Sequence, residues 1–181
     1  MKHKIIIIAG IFIFLMHLKI HAQSNKALPK EAPFEFTISG NEFRSGKTYN
    51  FPPDSKDLPN CGAFFVNNDQ TQIHGIAQFP PEPLEQIFIE ISIIGSGKLT
   101  QSLNGNISPS AGFSISFLVG KNFQAADGEV SIDSYGPVGG FVSGHFSATG
   151  SMYLYNGEGK EPQEISGYKV VGKFKVQHRV P

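Results

Sequence analysis

Residues 87–94 read Ile-Phe-Ile-Glu-Ile-Ser-Ile-Ile, and this stretch decides the fold class. Isoleucine occupies every second position from Ile87 to Ile93. Successive side chains of a β-strand point to opposite faces of the sheet, so one face of this segment is wholly apolar. The other face is mixed, with Phe88 and Glu90 among its residues. The stretch therefore predicts a half-buried strand.

The same alternation recurs along the chain, whereas no segment after residue 22 keeps the apolar spacing of a helix. The clearest further segments are 34–39, 113–117, 130–133, 142–148, 152–154 and 170–176. Shorter candidates are 48–51, 63–67, 72–78 and 98–103. The 20 Gly and 12 Pro separate these segments and supply turns. The pattern predicts an all-β domain of about ten short strands.

Strands with one apolar face bury it in two stacked antiparallel sheets or in a closed barrel. The proline-rich segments 51–53 and 79–83 suit crossovers between sheets, which favours a single antiparallel β-sandwich. A lipocalin-like β-barrel is the alternative. Gly144 and Gly172 each lie between apolar residues on an inward face, so we expect them to make room for neighbouring Phe rings.

The first 22 residues have the pattern of a signal peptide. A basic start precedes the apolar run 5–18, which is shorter than the roughly 20 residues that a membrane-spanning helix needs. The small residue Ala22 predicts cleavage between Ala22 and Gln23, the alternative being an uncleaved anchor. We expect a flexible N-terminal arm over 23–33 and the β-sandwich domain over 34–181. The protein would be exported, to the periplasm, the cell surface or the medium, with no stable membrane span after the leader is removed.

Charge and cysteine content exclude some classes of function. The chain has 15 basic and 15 acidic residues, and three of the lysines lie in the leader, so the mature chain is mildly acidic. Nucleic-acid binders and proteins bound to anionic lipid are typically basic, so neither partner is expected. The single cysteine, Cys61, cannot form an internal disulfide and is expected to be a small buried apolar residue.

No arrangement in the sequence indicates catalysis, a metal or a cofactor. The three histidines that follow the leader are widely spaced, which disfavours a metal site. Ser143, His145 and Ser147 share an outward face, and Asp133 lies on a strand that could be adjacent. We interpret Asp133 and His145 as a cross-strand pair on a solvated face rather than as part of a triad.

Aromatic residues suggest two candidate binding surfaces. Tyr153 and Tyr155 should project from one face beside Asn156, where they could stack on sugar rings. Phe88 and Phe141 fall on nominally polar strand faces. Together with Ile94 and Val171 they would form either an exposed partner site or a small second core.

The last predicted strand carries three outward lysines, Lys169, Lys173 and Lys175. Lysine-rich strands commonly protect the edge of a sheet from unwanted pairing, so we expect this strand to lie at an edge.

The segment 128–176 resembles the closing strands of uncharacterised secreted β-sandwich proteins and lipoproteins of Gram-negative bacteria. The resemblance is carried by a strand that ends in Tyr135, by the run Gly144-His145-Phe146-Ser147 and by the run Gly172-Lys173-Phe174-Lys175-Val176. It implies a fold and an envelope location but no activity. The chain departs from many of these proteins in lacking a lipid-bearing cysteine.

These observations favour an exported, non-catalytic β-sandwich module that binds an envelope protein or a glycan. One alternative is a β-barrel that carries a small apolar ligand in its interior. Another is an envelope-acting hydrolase, which the residues favour least.

Overall fold

The computed structural model describes residues 31–53, 61–66, 69–79, 85–103, 111–117, 120–156 and 160–180. The predicted leader, the cleavage point between Ala22 and Gln23 and most of the arm 23–33 lie outside these residues. Within the described part of the chain, no helix has the length and apolar character needed to cross a bilayer.

The prediction of an all-β fold is confirmed, because the regular structure described consists of ten strands. In chain order they are β1 (Phe34–Gly40), β2 (Phe43–Asn50), β3 (Cys61–Val66), β4 (Gln70–Phe79), β5 (Glu85–Ile94), β6 (Leu99–Ser102), β7 (Gly112–Phe117), β8 (Lys121–Tyr135), β9 (Phe141–Leu154) and β10 (Gln163–Arg179). The alternating isoleucines of β5, from Ile87 to Ile93, are fully buried, as the pattern predicts. The last three strands are long, however, and the predicted strands 142–148 and 152–154 are one strand, β9.

The ten strands form one sheet in the order β2-β1-β10-β3-β4-β5-β7-β8-β6, and β9 pairs with both β10 and β8. The pairings are antiparallel except between β3 and the end of β10, where two residues of each strand pair in parallel. The described strands do not form the closed barrel that the sequence left as an alternative.

The sheet bends so that its apolar sides face each other, which gives the predicted sandwich packing within one continuous sheet. The ring centroids of Tyr49 in β2 and Phe117 in β7 are 6.2 Å apart. Those of Phe113 in β7 and Phe146 in β9 are 4.8 Å apart. β2 and β7 lie far apart in the strand order, so the Tyr49–Phe117 contact joins opposite sides of the core, whereas β7 and β9 are both partners of β8. Aromatic rings at such distances pack favourably in tilted or offset arrangements.

The expected roles of two strand glycines and of the cysteine are confirmed. A Cβ atom on Gly144 would lie 2.8 Å from Cζ of Phe174, and one on Gly172 would lie 2.5 Å from Cζ of Phe146. Both glycines therefore leave the space that a Phe ring occupies. Cys61 is buried in the same core.

The prediction that the lysine-rich last strand lies at an edge is wrong. β10 is paired on both sides, with β1 and with β9, because the N-terminal strands pair along its free side. Lys173 forms a cross-strand ion pair with Glu35 at 3.1 Å, and Lys175 forms one at 3.2 Å with Glu31, which precedes β1. The ends of the described strand order are β2 and β6.

Candidate functional site

One row of paired residues joins two of the predicted surface aromatics. Phe88 of β5 pairs with Ser116 of β7, which pairs with Asn122 of β8, which in turn pairs with Tyr153 of β9. Directly paired residues of antiparallel strands project from the same face. That face is the outer one, because the intervening residues, such as Ile87, are buried. We call these four residues the Phe88–Tyr153 row.

A groove of about 320 Å³ lies beside this row and shares Asn122 with it. Its polar lining comes from three neighbouring strands and includes Glu90, Ser92, Ser114, Asn122 and Gln124. The groove forms where β8 changes partner, since its first residues pair with β7 and its later ones with β6. A bulge in β8 between Ala125 and Asp127 accompanies this change. Bulges of this kind bend a strand and redirect its side chains, which opens the outer face here.

Asn122 carries an unsatisfied acceptor at this groove. Its Oδ1 atom is buried and has no hydrogen-bond partner among the described residues. A buried polar atom left without a partner costs about 1–3 kcal/mol, and such atoms are uncommon in native structures. A donor brought by a bound ligand would recover that cost.

A strip of stacked rings borders the groove on the side of β5. The rings of Phe64 and His74 are stacked at 4.9 Å, and those of His74 and Phe88 lie 6.3 Å apart. Glu90 pairs with His74 on one side and with Ser114 on the other. Its carboxylate therefore stands between the aromatic strip and the polar groove.

Tyr153 lies at the far end of the row, and Tyr155 follows two residues later, just beyond the end of β9. Burial first, and then the charge of Glu164, its partner in β10, raise the pKa of Tyr153, and Tyr155 adds to the same shift. Tyr155 is exposed, and its backbone N–H donates to the carbonyl of Gly120 at 2.8 Å. Asn156, the next residue, is exposed as well.

The larger apolar surface that would combine Phe88, Ile94, Phe141 and Val171 does not form. The row of Phe88 meets β9 at Tyr153, at the opposite end of that strand from Phe141. Phe141 is instead half-buried beside Gln177 of β10. Ile94 and Val171 are exposed singly, on strands that do not pair with each other.

Asp133 and His145 form the predicted cross-strand pair. The carboxylate lies 3.1 Å from Nδ1 of His145, and both side chains are 59% exposed. Among the described residues, neither Ser143 nor Ser147 hydrogen bonds to His145. The pair lines a wider charged groove in which Lys173 is held by its own carboxylate partner. This surface therefore has the features of a solvated ion-pair network.

Within the described part of the chain, no group of three or more His, Cys, Asp or Glu residues could hold a metal ion. The residues that line the groove beside Phe88 were not singled out from the sequence. Ser114 lies at an outward position of a predicted strand, which was the available signal. Asn122 and Gln124 precede the predicted strand 130–133, and nothing in their local pattern indicated that β8 begins so early.

The candidate site thus consists of the Phe88–Tyr153 row, the polar groove beside it and the bordering strip of rings. Comparison of the chain with family models, with curated proteins and with solved structures finds no match, so the site is characterised by its own geometry.

Proposed function

We propose that this chain is an exported, non-catalytic module that binds a glycan at the cell envelope through the outer face of β5, β7, β8 and β9. The observation that carries the proposal is the register that places Phe88 and Tyr153 at the two ends of one row, with a polar groove beside it. The leader pattern of residues 1–22 supports export.

The groove offers the chemical groups that a sugar requires. The faces of Phe88 and Tyr153 can stack on the C–H bonds of a pyranose ring. The hydroxyl and amide groups between them can both donate and accept hydrogen bonds, and the carboxylate of Glu90 in the next row accepts them, which suits the hydroxyl groups of a glycan. An aromatic platform beside a few polar groups that fix orientation is typical of small-ligand sites.

Two observations favour binding over the alternative functions. Glycoside hydrolysis commonly uses two carboxyl groups about 5–9.5 Å apart, whereas Glu90 is the single carboxylate among the described groove residues. A carrier of an apolar ligand needs an interior cavity, but Phe rings pack against each other through the core, for example Phe113 against Phe146.

Binding of the mature chain, beginning at Gln23, to a glycan array followed by calorimetry tests the proposal. Phe88→Ala and Tyr153→Ala should each weaken the binding of an array ligand. Phe141→Ala is the matched control, since it makes the same change on the same side of the sheet away from the groove. Failure of the folded protein to bind any glycan, or equal losses in Phe88→Ala and Phe141→Ala, would overturn the proposal.

A further inference from the structure

We infer that the ligand is an uncharged oligosaccharide that lies across the strands and contacts Phe88 and Tyr153 at the same time. This inference rests on the proposed glycan binding and specifies the ligand's charge, its minimum length and its orientation.

The length follows from strand spacing. Phe88 and Tyr153 belong to strands separated by three steps in the sheet, β5 to β7, β7 to β8 and β8 to β9. Neighbouring strands lie about 4.8 Å apart, so the two rings are separated by roughly 14 Å. A single sugar ring is too short to stack on both aromatics, whereas a short chain of sugars can reach from one to the other.

The orientation follows from where the polar groups lie. Ser116 and Asn122 occupy the two row positions between the aromatic residues, and Ser114 and Gln124 occupy the next row towards Glu90. A chain that runs along the row therefore passes hydroxyl groups on β7 and amide groups on β8. Asn122, whose buried Oδ1 has no partner among the described residues, lies at the middle of this path, and a rotation of its side chain would present that acceptor to a sugar hydroxyl.

The charge of the ligand is inferred from the charged side chains that border the row. Glu90 lies on β5 beside Phe88, and Glu164 of β10 is the cross-strand partner of Tyr153. Lys121, at the start of β8, is engaged with Glu42 at 3.3 Å. Among the described residues, His74 pairs with Glu90, and the one further cation on this side is Arg179, which pairs with Phe64 at the far end of the strip of rings and away from the row. An acidic border repels carboxylate, sulfate and phosphate groups, which selects for an uncharged chain.

The test measures affinity by calorimetry for cello-, malto- and chito-oligosaccharides from the monosaccharide to the hexasaccharide, with oligogalacturonides of equal length as the anionic series. Affinity for a neutral series should rise with length until the chain spans both rings and then level off. Removal of either ring should weaken the longer ligands roughly tenfold, because those ligands contact both rings at once. The double variant Glu90→Gln/Glu164→Gln should show a smaller difference in affinity between neutral and anionic chains. Glu129→Gln, which changes an exposed residue elsewhere on β8, should leave that difference unchanged.

Each outcome has a definite meaning. A monosaccharide that binds as tightly as the longer members, or tighter binding of the anionic series, overturns this inference and leaves glycan binding in place. Absence of binding to every series and to the wider array overturns the proposed function itself.

Discussion

The ring of Phe146 lies directly over the backbone of Gly172, its cross-strand partner in β10. A Cβ atom at position 172 would lie 2.5 Å from Cζ of Phe146 and 2.6 Å from Cβ of Phe36. Both neighbours are buried in the core, so neither can move aside without displacing others. The absence of a side chain at Gly172 therefore makes room for its partners in the two neighbouring strands, Phe36 and Phe146.

Gly172→Ala should lower the free energy of unfolding by about 1–3 kcal/mol, the usual cost of overpacking a core. Urea unfolding followed by circular dichroism measures this change. Gly112→Ala is the control, because a Cβ atom there meets nothing within 4 Å. The control should be neutral or slightly stabilising, and equal losses in the two variants would contradict the packing explanation.

Some of this architecture was predictable from sequence. The alternation in β5 and the glycines between apolar residues identify inward faces, because local periodicity determines which side of a strand is buried. The relation of Gly144 to Phe174 followed from the same reasoning, since both lie on predicted inward faces.

The neighbours of each strand were not predictable in the same way. Pairing of β1 with β10 joins residues far apart in the chain, and no local pattern encodes it. Because local pattern does not encode this pairing, the lysines of β10 predict a strand at the edge of the sheet, whereas β10 is paired on both sides. The site depends on the same long-range information, since local pattern marks Phe88 and Tyr153 separately and only the register places them in one row.

Tyr168 should cause the free energy of unfolding to fall as the pH becomes alkaline. Its hydroxyl donates to the carboxylate of Glu42. Burial, then this hydrogen bond and the charge of Glu42, raise its pKa from 10.0 to about 12. The folded state thus keeps a proton that the unfolded state loses. This contribution to stability is complete below about pH 10 and is lost as the pH rises through about 12.

Tyr168→Phe should therefore reduce the alkaline loss of stability, measured by urea unfolding at several pH values. It should also cost about 1.5–3 kcal/mol near neutral pH, because a hydrogen bond to a charged group is lost. Some alkaline loss should remain, since burial also raises the pKa of Tyr49. Tyr155→Phe, at an exposed tyrosine, is the control, and an unchanged slope in Tyr168→Phe would argue against this assignment.

Glu85 of β5 contacts two residues of β2, a buried tyrosine and a partly exposed lysine, and the two contacts should differ in strength. Tyr49, which is buried, donates its hydroxyl to one carboxylate oxygen at 2.9 Å, and Lys47, whose side chain is 48% exposed, lies 2.6 Å from the other. Tyr49→Phe should cost about 1.5–3 kcal/mol, whereas Lys47→Met should cost less than about 1 kcal/mol because solvent screens the exposed pair. A double-mutant cycle with Glu85→Gln measures both couplings, and a stronger coupling to Lys47 would contradict this ranking.

His145→Ala should change the free energy of unfolding by less than about 1 kcal/mol. The partners of the Asp133–His145 pair are both 59% exposed, and exposed pairs contribute little. The same variant tests the hydrolase alternative, because any esterase or glycosidase activity that used Ser143 or Ser147 would need this histidine. Activity in the wild-type protein that disappears in His145→Ala would favour that alternative over the proposed module.

Substitution of Asn122 should raise the free energy of unfolding and lower the affinity for glycan. Its buried Oδ1 has no partner among the described residues, so the native fold carries a cost of about 1–3 kcal/mol at a groove position. Asn122→Leu removes the unsatisfied atom and should raise the free energy of unfolding by about 1 kcal/mol. It also removes the acceptor that we assign to a sugar hydroxyl, so glycan affinity should fall.

Residues that break a local rule of packing are expected at functional sites, where the cost is retained for the sake of binding. Gln124→Leu is the control for stability, because Gln124 lies on the same strand and lines the same groove but is exposed. That variant should bring no gain in stability. A loss of stability in Asn122→Leu would contradict this explanation. So would a gain in stability with wild-type affinity for glycan, because Asn122 would then not be a contact of the ligand.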